Sequence, residues 1–127
     1  MRATDPPAII LFAHGARDPA WAQPFRKIKD LLEARQPGIA VELAFLEIME
    51  PTLADAVAKL AGARHTTIAI APLFMAQGGH LKNDLPKLLD TIRARHPGLE
   101  LTLLPAIGDV DPILDAIAGW LVSAMAR

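Results

Sequence analysis

Two imidazoles and one carboxylate recur at equal intervals along this chain. His14, Glu47 and His80 are each 33 positions from the next. Neutral imidazole binds borderline divalent metals such as Co²⁺, Ni²⁺, Fe²⁺ and Zn²⁺, and it also accepts protons near neutral pH. A carboxylate adds negative charge without the tight hold of a thiolate, so the set suits a metal that is bound and then given up. Taken singly, each residue has an ordinary reading: a strand-end histidine bonded to backbone, a glutamate solvated beside a helix start. The interval, about one βα unit, makes the three worth placing together, because each then follows a different strand.

The elements that must position them alternate in type. Residues 8–14 (Ala-Ile-Ile-Leu-Phe-Ala-His) form an apolar strand, and Gly15, Arg17, Asp18 and Pro19 make a turn and a helix start, with Asp18 as N-cap and Pro19 first in the helix. That helix carries Trp21, Phe25, Ile28, Leu31 and Leu32 and ends at Pro37-Gly38. Residues 39–46 are the second strand, closing on Glu47; Glu50-Pro51-Thr52 opens a helix carrying Leu53, Val57 and Leu60, which Gly62 stops. Residues 66–71 (Thr-Thr-Ile-Ala-Ile-Ala) are the third strand, and Leu85, Leu88, Leu89 and Ile92 recur at helical spacing up to His96, before Pro97-Gly98. Residues 99–104 are the fourth strand and 105–111 its loop. A last helix from about Pro112 places Ile113, Ile117, Trp120, Leu121 and Ala124 on one stripe, to serve as core or as a dimer contact.

The pattern βαβαβαβα predicts an α/β fold: a four-stranded parallel sheet with helices on both faces, flavodoxin-like, and analogy with flavodoxin-like sheets gives the strand order 2-1-3-4. His14, Glu47 and His80 then share the carboxyl edge, where open α/β sheets bind ligands. The stretch 72–86 (Pro-Leu-Phe-Met-Ala-Gln-Gly-Gly-His-Leu-Lys-Asn-Asp-Leu-Pro) reads as a loop leaving that edge. Gly78 and Gly79 let its backbone turn freely or approach a ligand closely, and His80 stands at the mouth of the next helix. His65 precedes the third strand, at the opposite edge, and His96 ends a helix, so both read as structural.

Composition narrows the classes. With 127 residues, 52% hydrophobic and only 5% aromatic, the chain is expected to be a single domain, 1–127, with an Ala, Leu, Ile and Val core. A net charge of −1 gives no electrostatic reason for a nucleic-acid partner. The absence of cysteine excludes disulfides, thiolate metal sites and a cysteine nucleophile. No window reaches membrane-spanning length, and the six apolar residues 8–13 are too short and wrongly flanked for a signal peptide, so a cytoplasmic location is expected.

Nearly the whole chain resembles one family. His14-Gly15-Ala16-Arg17-Asp18-Pro19 is similar to the His-Gly-Ser-Arg-Asp motif of CbiX-type sirohydrochlorin chelatases. Pro72-Leu73-Phe74, Gly78-Gly79-His80 and Asp84-Leu85-Pro86 resemble their second motif, and Phe45-Leu46-Glu47 with Pro51 the segment between. The length resembles the short form, a chelatase-like half unit that pairs as a homodimer. The resemblance implies ATP-independent insertion of Co²⁺, or in relatives Fe²⁺ or Ni²⁺, into sirohydrochlorin, in cobalamin or related tetrapyrrole biosynthesis. It implies His14 and His80 as metal-binding and proton-accepting residues and Glu47 as a metal-binding carboxylate. Ala16 departs from the motif, where a serine hydroxyl is common.

Insertion requires two pyrrole N–H protons to leave as the metal sheds its ligands, and an imidazole does both tasks. His80 is the expected proton acceptor because its loop can move, with Glu47 offsetting metal charge or relaying a proton. The substrate's carboxylates call for cations, and Arg17 and Lys82 are nearest the motifs. Met75 is expected under the macrocycle, with Phe74 there or in the core. A noncatalytic metal or tetrapyrrole carrier would keep the same ligands. Histidine phosphatases also begin with a strand-end His-Gly, but their histidine normally follows Arg, and position 13 is Ala.

Overall fold

The computed structural model describes residues 7–126; the side chain of His80 lies outside the described part, as do residues 1–6, part of the segment weighed above as a leader. Four parallel strands, β1 (Ala8–Ala13), β2 (Ala40–Phe45), β3 (Thr67–Pro72) and β4 (Glu100–Leu103), form one sheet in the order β2-β1-β3-β4. The helices are α1 (Gln23–Arg35), α2 (Leu53–Gly62), α3 (Gly79–Arg95) and α4 (Asp111–Met125). This is the expected α/β alternation and strand order.

Strand parity divides the side chains between two faces. Ala8, Ile10 and Phe12 of β1, Ile68 and Ile70 of β3 and Leu101 of β4 join Leu53, Ala56, Val57 and Leu60 of α2 and Leu85, Leu89 and Ile92 of α3 in the main core. On the other face Ala13 and Phe45 pack with Ala22, Trp21 and Phe25, from the chain leading into α1 and from α1 itself. Helices therefore lie on both faces, α2 and α3 on one and α1 on the other. Among the described residues no helix is long and apolar enough to cross a membrane.

Caps follow the sequence. Asp18 accepts from the Ala20 N–H at 2.9 Å, and the Thr52 hydroxyl accepts from the Asp55 N–H at 3.2 Å. Two boundaries differ from expectation. The first helix is not continuous from Pro19: a 3-10 turn spans Pro19–Ala22 and α1 begins at Gln23. Pro24 has no N–H to return to the Ala20 carbonyl, so an α-helix running through from Pro19 would leave that bond unmade.

The larger correction concerns the stretch 72–86, expected as a loop. Only 73–78 is irregular; α3 begins at Gly79 with Gly78 as its N-cap, and Pro86 lies inside it. Leu81, Leu85, Leu88, Leu89 and Ile92 keep one helical stripe on the core, and that burial outweighs the backbone bond Pro86 removes. His80 is thus the second residue of a helix, not part of a loop.

Candidate functional site

The parallel register of β1 and β2 pairs Ala13 with Phe45 and persists past both strands: the Leu46 N–H donates to the Ala13 carbonyl at 2.9 Å and the Glu47 N–H to the His14 carbonyl at 3.1 Å. The two residues separated by 33 positions are thereby laid side by side. His14 Nε2 and Glu47 Oε1 are 2.9 Å apart, each side chain 55% exposed. An ionised carboxylate only accepts, so this contact puts the proton on Nε2 and leaves the Nδ1 lone pair for a ligand. Such a carboxylate–imidazole pair fixes the tautomer and orients the ring toward a metal.

Gly15 is what permits the approach. Its φ is +104°, and a Cβ there would stand 1.9 Å from the Glu47 carbonyl oxygen. Behind the pair, the Phe74 ring meets His14 edge-on at 6.2 Å between centroids and Phe12 at 5.6 Å. Phe74 is fixed from two sides, by the Leu73 N–H on the Phe12 carbonyl (2.8 Å) and by its own carbonyl accepting from Gly108 N–H (3.1 Å). Gly108, in the 3-10 turn Ile107–Asp109, lies so close that a Cβ would overlap the Met75 carbonyl oxygen.

Together these elements surround a cleft of about 350 Å³ lined by His14, Leu46, Phe74, Ala76, Gly78, Leu81 and Asp84. Its walls are mainly apolar, with an imidazole at one side and a carboxylate on α3 at the other, the usual make-up of a small-molecule site.

Of the expected site residues, the structure brings His14 and Glu47 together and places Gly78 in the cleft wall. His80 has its backbone on the first turn of α3, one turn before Asp84, and its side chain lies outside the described part. Among the described residues, no three His, Asp or Glu side chains are grouped to hold a metal. Neither Gly78 nor Gly79 has positive φ, and a Cβ on either meets nothing within 4 Å, so the turn does not demand glycine there; open space does face them. Arg17 and Lys82 are exposed and are not among the cleft's lining residues. Met75 is exposed too and contributes its carbonyl to the Gly108 contact instead of a floor to the cleft; Phe74 serves both core and cleft.

Sequence reasoning quoted Asp84 and Leu46 within motifs without giving them a role in the cleft, and it missed Gly108. Asp84 follows His80 by four, which becomes a meaningful spacing only once α3 is known to begin at Gly79. Nothing in the sequence signals that Gly108 abuts Met75. His65 and His96 lie together at the amino edge, beside Thr66 and Pro97, remote from the cleft as expected.

The family model described as CbiX matches residues 8–122. A sirohydrochlorin cobaltochelatase of Methanopyrus kandleri is 39% identical over 82 residues, covering 65% of this chain and 57% of that protein. The chain therefore spans less than two thirds of that relative's length. A solved structure from Marinobacter aquaeolei VT8, described as a cobalamin (vitamin B12) biosynthesis CbiX protein, superposes with a TM-score of 0.82 at 30% identity, covering 96% of this chain and 99% of the other. The sirohydrochlorin chelatase SirB of Bacillus subtilis subspecies spizizenii, solved in complex with cobalt, shares the fold with a TM-score of 0.77 at 24% identity, covering 96% of this chain and 52% of SirB.

Proposed function

The chain belongs to the CbiX family, and from that premise we propose that it inserts a divalent metal, Co²⁺ in the first place, into sirohydrochlorin without ATP. The observation that carries the proposal is the 2.9 Å pair of His14 and Glu47 at the mouth of an apolar cleft whose far wall is the helix that bears His80. The M. kandleri relative supports the metal and the substrate class.

The reaction is a substitution. M²⁺ enters the macrocycle, two pyrrole N–H protons leave, and no oxidation state changes. Glu47 holds the His14 ring with Nδ1 available, so His14 either presents M²⁺ to the macrocycle or takes up a pyrrole proton that Glu47 then helps pass to solvent. His80, on the first turn of α3, supplies the second imidazole. Leu46, Phe74 and Leu81 give the macrocycle an apolar seat, and Arg17 and Lys82, on the exposed rim, meet its carboxylates as it docks. We place the protein in the cytoplasm, in cobalamin or a related tetrapyrrole pathway, acting as one chelatase-like unit, 1–127, paired as a homodimer, with no nucleic-acid or membrane partner.

Anaerobic mixing with sirohydrochlorin and, separately, Co²⁺, Fe²⁺ and Ni²⁺ tests this. The expected result is accelerated conversion of the macrocycle's absorption over protein-free controls, lost in His14→Ala and His80→Ala and kept in His65→Ala. Binding of metal and macrocycle without acceleration would make the protein a carrier. Equal loss in His65→Ala would overturn the site.

A further inference from the structure

Among the described residues, the clearest backbone strain lies one residue beyond Glu47. The Met49 N–H donates to the Glu47 carbonyl at 2.7 Å across Ile48, whose φ is +71°. A hydrogen bond of this span around a residue of positive φ is a γ-turn of the rarer, strained kind. A β-branched residue is poorly suited to it, because Cβ already stands too close to a carbonyl oxygen there and branching leaves it less room. Arg64, the other described non-glycine residue of positive φ (+72°), is unbranched and lies just past the end of α2, where a left-handed residue is common.

Ile48 is also exposed, at 63%, so its strain does not serve burial. The residues around it are anchored. Leu46 packs on the main core, Met49 on the second, and the Phe45 N–H donates to the Pro51 carbonyl at 2.9 Å, closing the loop. Glu47 is engaged by His14. Turning the chain between those anchors needs a positive φ at position 48, yet it does not need isoleucine: Gly or Asn would adopt the turn with less strain and without apolar surface in water. The side chain, not the turn, is what isoleucine adds.

Its location shows what that side chain faces. Strand β1 lies between β2 and β3, so the loop after β2, with Ile48, and the segment after β3, with Met75, flank His14 on either side. Both residues are exposed and apolar. The cleft between the two segments, about 350 Å³, is near the lower end of what a drug-sized ligand fills. A tetrapyrrole is larger and overhangs it, and the apolar rim beside Glu47 is Ile48. We propose that Ile48 is a substrate-contacting residue: its side chain, held out by the γ-turn, lies against the apolar ring of the macrocycle and keeps it over the His14–Glu47 pair. The same turn fixes the Glu47 carbonyl, on which Gly15 packs, so the rim and the pair move as one unit.

The contact rests on the tetrapyrrole reading of the cleft, and measurements on the full chain separate the two. Ile48→Asn should raise the urea midpoint, because asparagine accepts a left-handed backbone, and should leave Co²⁺ affinity, measured calorimetrically without macrocycle, unchanged. In a metal-free absorption titration it should bind sirohydrochlorin about 10-fold more weakly, the effect of losing the cover of much of an isoleucine side chain. Ile48→Val, which keeps the branch and most of the apolar surface, should bind within about threefold of the unaltered chain. A merely architectural Ile48 would not move stability and affinity in opposite directions. Undiminished sirohydrochlorin binding in Ile48→Asn overturns the contact and leaves the cleft's assignment standing. A lower midpoint overturns it too, since the side chain would then support the fold, and so does a changed mass in light scattering, which would give the residue to the pairing. If the unaltered chain itself fails to bind sirohydrochlorin, the tetrapyrrole reading falls and the contact with it. Should Ile48→Asn not fold, Ile48→Gly carries the same tests.

Discussion

At position 15 a methyl group has nowhere to go. It would meet the Glu47 carbonyl at 1.9 Å and sit on a backbone at φ +104°. Gly15→Ala should therefore destabilise the protein by about 2 kcal/mol or more, combining left-handed strain with displacement of the Glu47 backbone, read as a lower midpoint in urea unfolding. Gly78→Ala, facing open space at a negative φ, should cost less than about 1 kcal/mol on the same measurement and act on substrate affinity instead. The His14–Glu47 pair is half exposed and so contributes no more than about 1 kcal/mol to stability. Its role is orientation. Glu47→Gln should leave the unfolding midpoint nearly unchanged while lowering Co²⁺ affinity or insertion rate about 10- to 100-fold, as loss of a carboxylate that orients a liganding histidine does, measured by calorimetric titration and by the insertion assay.

Among the elements, α3 carries the main tension. Pro86 at its eighth residue removes a backbone bond, yet the helix persists because Leu85, Leu89 and Ile92 are almost fully buried. Pro86→Ala should accordingly stabilise the fold, by up to about 3 kcal/mol, with thermal unfolding as the readout; a loss of stability would mean that the ring's own packing matters more than the missing bond. Leu85→Ala should cost about 2–5 kcal/mol by leaving a cavity under the helix that starts the cleft wall. The 73–78 segment is held differently, by the Phe12 and Gly108 bonds and by a ring wedged between Phe12 and His14. Gly108→Ala must push Met75 aside, and it should reduce insertion without touching His14 or Glu47.

For the whole molecule, the pairing proposed above would make stability a function of concentration. If the exposed apolar face of α4 is covered only in the pair, the unfolding temperature rises as protein concentration rises, and Ile117→Glu/Leu121→Glu abolishes that dependence. A concentration-independent midpoint in the unaltered chain would contradict it. The same architecture explains why the cleft lies where it does: the first three strands deliver their following loops to the carboxyl edge.

The periodicity of the sequence was enough for the four strands and the shared edge, because alternating burial and helical stripes are properties of local composition; their order came from analogy with flavodoxin-like sheets. The even spacing brought His14, Glu47 and His80 to one edge, and only the β1–β2 register set His14 and Glu47 side by side. Local pattern also placed Asp18, Thr52 and the buried stripes of α2 and α3. It failed where two local rules compete or where the deciding neighbour is distant. Two glycines and a proline argued for a loop at 72–86, and only the core beneath α3 decided for a helix from Gly79. Gly78 and Gly79 looked like the glycines that matter, whereas Gly15 and Gly108 are the ones another backbone crowds, a fact that exists only in three dimensions. The stripe on α4 was read first as core and otherwise as a dimer contact. Tertiary structure alone left it exposed, because α4 packs on the Ile107–Asp109 turn and buries none of its residues.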